Sequence, residues 1–139
     1  MEEKNQEMLL AQWQTCVEMA NAVSERRDTM NNLFVSLNLA VFAAISFLWT
    51  GETVVLCIAG CSSCAVWLLF IRYFRQLNSA KYEIIGKIEE QLPVKAFSDE
   101  WAILHNKKRY FEGTQLDKIL PWVFLIIYGV ILLMSYCAK

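Results

Sequence analysis

AVWLLFIRYFRQLNSAKYEIIGKIEEQL (65–92) begins as a segment that a lipid tail would accept and ends as one that only water would accept. No proline and no Ser-rich tract separates the halves, and Gly86 costs a helix only about 1 kcal/mol, too little to end one supported by packing. Joined to the charge-free run that precedes it, the pattern predicts one continuous helix from Thr53 to Leu92, with Gly60 its other interior glycine. At ~1.5 Å per residue such a helix spans roughly 60 Å, twice a hydrocarbon core of ~30 Å. Half of it must therefore stand in water. Leu92-Pro93 ends it, because proline disfavours helical geometry in the residue before it.

The 139 residues are 56% hydrophobic and 19% charged, more apolar material than a soluble domain of this size carries, and it is clustered. Three windows, Leu33 to Thr50, Thr53 to Ile71 and Ile119 to Tyr136, are free of charge. Each runs for about 18 residues, roughly 27 Å as a helix, enough to cross a bilayer. The fold class expected is all-α integral membrane, with three transmembrane helices, the first two extended into the cytoplasm as a long helical hairpin. Polar residues precede the first window and no A-x-A-like cleavage site follows it, so it is not read as a signal peptide. The chain reads as one membrane domain over 1–139. Its parts are a cytoplasmic amphipathic helix (6–30), the first span (33–50), the second (53–71) with its cytoplasmic extension (72–92), a short helix and linker (93–114) and the third span (119–136).

Charge distribution sets the orientation. Arg72, Arg75, Lys81, Lys87, Lys95, Lys107, Lys108, Arg109 and Lys118 crowd between the second and third windows, whereas the Gly51-Glu52 turn has no Lys or Arg. The positive-inside rule puts the basic segment in the cytoplasm, with the N-terminus and its Arg26-Arg27 on the same side. The Gly51-Glu52 turn and Lys139 then face outward. A net charge of -1 gives no support to nucleic-acid binding.

Both water-side rods carry an apolar stripe. On the first, Leu9, Trp13, Cys16, Val17, Ala20 and Val23 share a side, and Glu7, Gln14, Glu18, Asn21 and Glu25 take the other. On the second the stripe is Phe74, Leu77, Ile84 or Ile85, and Ile88. These stripes can close on each other or on a neighbouring subunit. Nothing between Arg27 and Leu33 breaks a helix strongly, so a bend is allowed there and a stop is not required. Beyond Pro93, Ser98 can cap a short helix whose positive end suits Asp99 and Glu100, with Phe97, Trp101 and Leu104 along one edge. Lys107-Lys108-Arg109 beside Tyr110 and Phe111 mark the membrane interface. Thr114 starts the third membrane helix with Asp117 as a capping-box carboxylate, and Pro121 and Trp122 sit in its first turns.

Few residues could carry chemistry. His105 is a lone histidine, read as a surface residue, and Arg75, the arginine upstream of it, lies far outside the short spacing of HEPN-type ribonucleases. The pairs Glu89-Glu90 and Asp99-Glu100 read as solvated faces, since adjacent helical residues point about 100° apart. Cys57, Cys61 and Cys64 recur at i, i+4, i+7 and read as an apolar packing face. Cys16 and Cys137 fall on opposite sides of the membrane. No catalytic set, cofactor or metal site is expected, and the chain is not read as an enzyme.

Polar residues inside the windows are the candidates for function, because an unsatisfied amide in hydrocarbon is costly. Asn32, Ser36, Ala40, Ala43, Ser46 and Thr50 form a small, weakly polar stripe on the first span, readable as a close packing face or as the wall of a pore. Asn38 falls off this stripe and needs a partner on another helix or subunit. Ala59, Gly60, Ser62, Ser63 and Cys64 make a small surface on the second span, read as tight packing. Arg72 and Arg75 begin the water-exposed half, where they bind lipid phosphates or line a cytoplasmic vestibule.

Four blocks carry a family resemblance: VEMANAVSERRDTMNNLFVSLN (17–38), RYFRQLNSAKYEIIGKIEEQLP (72–93), DEW (99–101) and KRYFEGTQLDKILPWVF (108–124). In this order they resemble the RipA-like family of small bacterial inner-membrane proteins, and the block beginning at Arg72 is the most specific of them. The resemblance implies octameric membrane assemblies, and an architecture akin to the pore-like membrane accessory of type VI-B CRISPR systems, which supports antiviral defence by impairing the membrane. It implies a homo-oligomeric ring with helices extending into the cytoplasm, and it assigns no conduction residue. The resulting expectation is a pore or vestibule that permeabilises or depolarises the membrane, in antiviral defence or stress. The alternative is a non-conducting scaffold that recruits a cytoplasmic protein partner. Membrane lipid and further copies of the chain are the other expected partners.

Overall fold

Long charge-free runs flanked by good helix formers leave the backbone few options in lipid other than hydrogen-bonding to itself. The computed structural model, which describes residues 2–47, 53–106 and 113–137, is all-helical over those residues. Its elements are α1 (Glu2–Phe47), α2 (Thr53–Glu89), α3 (Ala96–His105) and α4 (Gly113–Cys137). Helices α1, α2 and α4 are long and apolar enough to cross a membrane, as the three windows predict. Thr50, the Gly51-Glu52 turn, Lys107-Lys108-Arg109, Tyr110, Phe111 and Lys139 lie outside the described residues, as does the side chain of Thr114.

Helix α1 runs through Asp28 and Asn31-Asn32 without interruption, because their low propensities cost only tenths of a kcal/mol each. Helix α2 ends at Glu89 rather than Leu92. The chain then tightens, Gln91 N–H donating to Ile88 O and Leu92 N–H to Glu89 O, both at 3.1 Å, before Pro93 closes off any continuation. In α4 the proline is not in the first turns: the helix begins at Gly113, and Pro121 is interior and fully buried.

The packing divides into two compact units, Met1–Arg26 with Phe74–Phe111, and Arg27–Tyr73 with Glu112–Lys139. The first is rich in charge. Its α1 stripe buries Ala20 and Val23 and half-buries Leu9, Trp13, Cys16 and Val17, while Glu7, Gln14, Glu18, Asn21 and Glu25 are exposed, as their periodicity predicts. On α2, Phe74 and Ile85 go inward and Ile84 outward, which decides the ambiguity between the adjacent isoleucines. Phe97 of α3 meets the rings of Trp13 at 5.9 Å and Tyr82 at 5.8 Å.

The second unit is apolar and is built on rings. Phe34 stacks on Trp67 at 5.6 Å, Phe42 meets Phe124 at 5.5 Å and Tyr128 at 4.7 Å, and Trp67 meets Phe124 at 6.1 Å. Cys57, Cys64, Ile45 and Ile71 complete this core. Lipid tails are as apolar as these side chains, so dispersion between close-fitting surfaces and hydrogen bonds, not expulsion of water, must hold the helices together. Gly60 shows the fit: a Cβ there would lie inside the van der Waals envelope of the Tyr128 ring. The small surface on α2 is thus a packing face at Gly60 and Cys64, whereas Ala59 and Ser62 are exposed.

Candidate functional site

The five candidates Asn32, Ser36, Ala40, Ala43 and Ser46 are all exposed on the apolar unit. The opposite side of the same helix is the packed one, carrying the buried residues Phe34, Asn38 and Ile45. Ser46 Oγ donates to Phe42 O at 2.9 Å, so its proton is satisfied within the helix and its oxygen lone pairs face outward. The stripe is therefore a weakly polar surface, not part of the chain's own core. Arg72 and Arg75 are also exposed, but the first belongs to the apolar unit and the second to the charged one.

Behind the stripe lies the partner that Asn38 requires. Asn38 is fully buried; its Oδ1 accepts from Tyr128 Oη at 2.9 Å and from Cys64 Sγ at 3.4 Å, and its Nδ2 donates to Phe34 O at 2.8 Å. One amide thus ties α1, α2 and α4 together in neutral groups. A second tie joins Trp67 Nε1, which donates to Asn31 Oδ1 at 2.8 Å. A third is ionic: Asp117 Oδ2 lies 3.5 Å from Arg27 Nε, and Asp28 Oδ1 takes the same guanidinium at 3.2 Å. Asp117 is therefore directed at α1, which corrects its reading as a capping-box carboxylate turned back on its own helix.

The charged unit has its own node, which the sequence reading misses. Glu89 is fully buried and not a solvated face. Its Oε1 accepts from Trp13 Nε1 at 3.3 Å and Phe97 N at 3.0 Å, and its Oε2 from Ser98 N at 3.1 Å and Ser98 Oγ at 2.9 Å. The cap of α3 is thus Glu89, reaching over from α2, and Ser98 is a donor to that cap and not the cap itself. Lys95, at the cap position, makes no side-chain capping bond. A carboxylate opposite the unpaired N–H groups of a helix start is favourable on both hydrogen-bond and dipole grounds. Burial alone pushes the Glu89 carboxyl up, but the bonds from Phe97, Ser98 and Trp13 outweigh it and hold the group below its usual value. The one hint in sequence is spacing: a carboxylate at the end of one helix, a proline, then a Ser at the start of the next.

Three apolar helices tied through two neutral amides and one ion pair, with a charged helical unit on the same chain, define an all-α integral membrane protein. A weakly polar face left outward on one span suits a protein that packs against further copies. The chain belongs to the octameric membrane protein family (8xMP), whose family model matches residues 10–137. Comparison with curated proteins and with solved structures returned no match.

Proposed function

We propose that this chain assembles as a homo-oligomeric ring in a bacterial inner membrane, N-terminus in the cytoplasm, and forms a pore or vestibule that permeabilises or depolarises that membrane. Antiviral defence or stress would be its use. The observation that carries this reading is the outward face of α1. Asn32, Ser36, Ala40, Ala43 and Ser46 are exposed on a span whose other side is already packed. Membership of an octameric family supports copies arranged around an axis. Hydroxyl and amide groups around such an axis lower the cost of wetting it, and a rearrangement of subunits then opens or closes a water path. No group of the chain need react. The test is ion flux across liposomes that contain only this protein. Flux that falls when Ser36 and Ser46 are replaced by Leu supports the reading, and a tight bilayer at every oligomeric state sampled overturns it.

A second reading, a non-conducting scaffold for a cytoplasmic partner, is favoured by Val94 and Ile103, large apolar side chains exposed on the charged unit. Here Lys87→Ala would abolish function with spans and oligomer intact.

A further inference from the structure

Two outward faces of the charged unit remain after its core is formed. On α2 the inward positions are Phe74, Ile85 and Glu89, yet Leu77, Ile84 and Ile88 recur at i, i+7, i+11 and form a second apolar line. Ile84 is 52% exposed, Leu77 and Ile88 are half-buried, and Lys81 stands in the same line. On α1, Met8 and Met19 recur at i, i+11 on one outward side, each 52% exposed. Each methionine is preceded by an exposed acid, Glu7 and Glu18. A segment this charged does not sit in hydrocarbon, so lipid cannot cover these side chains. Because Ile84, Met8 and Met19 stay exposed on the same unit, the two lines do not cover each other within the chain.

We propose that the α2 line, Leu77, Ile84 and Ile88 with Lys81, is the docking site for the Met8–Met19 face of α1 in a second copy of this chain. The charges select the occupant. The α2 line carries the cation Lys81, and its neighbouring acid, Glu83, is engaged by Lys87 at 2.8 Å. The α1 face brings Glu7 and Glu18 along one edge, about 100° round from the methionines, with the cations Lys4 and Arg26 confined to its two ends. Apolar lines of matching helical spacing meet, and Lys81 faces the acidic edge. The two faces differ, so each copy offers α2 to one neighbour and α1 to the other. Such a heterologous contact repeats head to tail, as a ring of the octameric family requires, where an isologous one would stop at two copies.

The inference rests on the assembly reading above, and the experiment separates the two. In a Cys16→Ala, Cys137→Ala background, differently tagged chains carrying Met19→Cys or Ile84→Cys are co-expressed and oxidised in the membrane. The mixed pair should crosslink, with either variant alone giving about tenfold less. Lys81→Glu should lower the mixed yield about tenfold, and Glu18→Lys in the same chain should restore it. Equal crosslinking by one variant alone, or no mixed product from a particle of multi-subunit mass, overturns the interface and leaves the assembly standing. A monomeric mass for the wild-type chain in its bilayer overturns both.

Discussion

The apolar unit buries an amide and the charged unit buries a carboxylate, and each choice fits its surroundings. Asn38 meets a phenol, a thiol and a backbone carbonyl, all neutral, so this tie between the spans separates no charge in hydrocarbon. Glu89 is ionised, and its cost of burial is met by two backbone N–H groups, a hydroxyl and an indole. A full charge is kept where a helix start answers it at Glu89, or where an opposite charge answers it at Arg27 and Asp117; around Asn38, where only neutral groups are at hand, a neutral amide serves.

Removing the charged node should have the larger effect. Glu89→Ala leaves four donors without their acceptor and should weaken docking of α3 by about 3 kcal/mol. Hydrogen exchange would read this as roughly a hundredfold loss of protection at the Phe97 and Ser98 amides, and unchanged protection there would break the comparison. Acid should act the same way. A carboxyl held below its usual value stabilises docking fully above the ordinary carboxylate range, and that contribution is lost as pH falls through the lowered value. The Trp13 indole N–H resonance should follow this loss, and the Tyr128–Asn38 bond should not.

Next in size is Gly60→Ala. It forces the Tyr128 ring away from α2, at a net cost of about 2 kcal/mol once the helix-propensity gain of about 1 kcal/mol is subtracted. The midpoint of thermal unfolding in detergent should fall, and an unchanged midpoint would mean that the ring does not sit against α2. Tyr128→Phe keeps the ring and removes its bond to Asn38, which sharpens the comparison. Hydrogen bonds between membrane helices average about 0.6 kcal/mol, so the same midpoint should move only slightly. Smallest is Lys87→Ala. Lys87 and Glu83 are each 69% exposed, and loss of their pair should leave the charged unit's unfolding unchanged within error.

Sequence periodicity was enough for the spans, for the inward and outward sides of α1, and for the need of Asn38 for a partner, because each follows from which residues share a helix face. It could not separate Ile84 from Ile85. Adjacent positions differ by about 100°, and either extends a stripe that includes Phe74. Glu89 was hidden for another reason. Three of its donors arrive from the start of α3 and the fourth from Trp13 of α1, and an acid pair looks the same in sequence whether water or such donors receive it. Asp117 had a plausible local role as a cap, and its attraction to Arg27 is a contact between distant residues that no local pattern records. The face of Asn32, Ser36, Ala40, Ala43 and Ser46 was legible as a stripe, and one chain places it outward.

Pro121 has a mechanical consequence. Lacking an amide hydrogen, it gives nothing to the carbonyl of Asp117 one turn earlier, so the backbone ladder of α4 has a missing rung beside the residue that faces Arg27. Bending at that level breaks no further bond, and α4 is more compliant there than along the uninterrupted stretch from Trp122 to Cys137. A pull on the Arg27–Asp117 contact would be taken up as flexure at one point, and the Tyr128–Asn38 tie beyond it would hold its place.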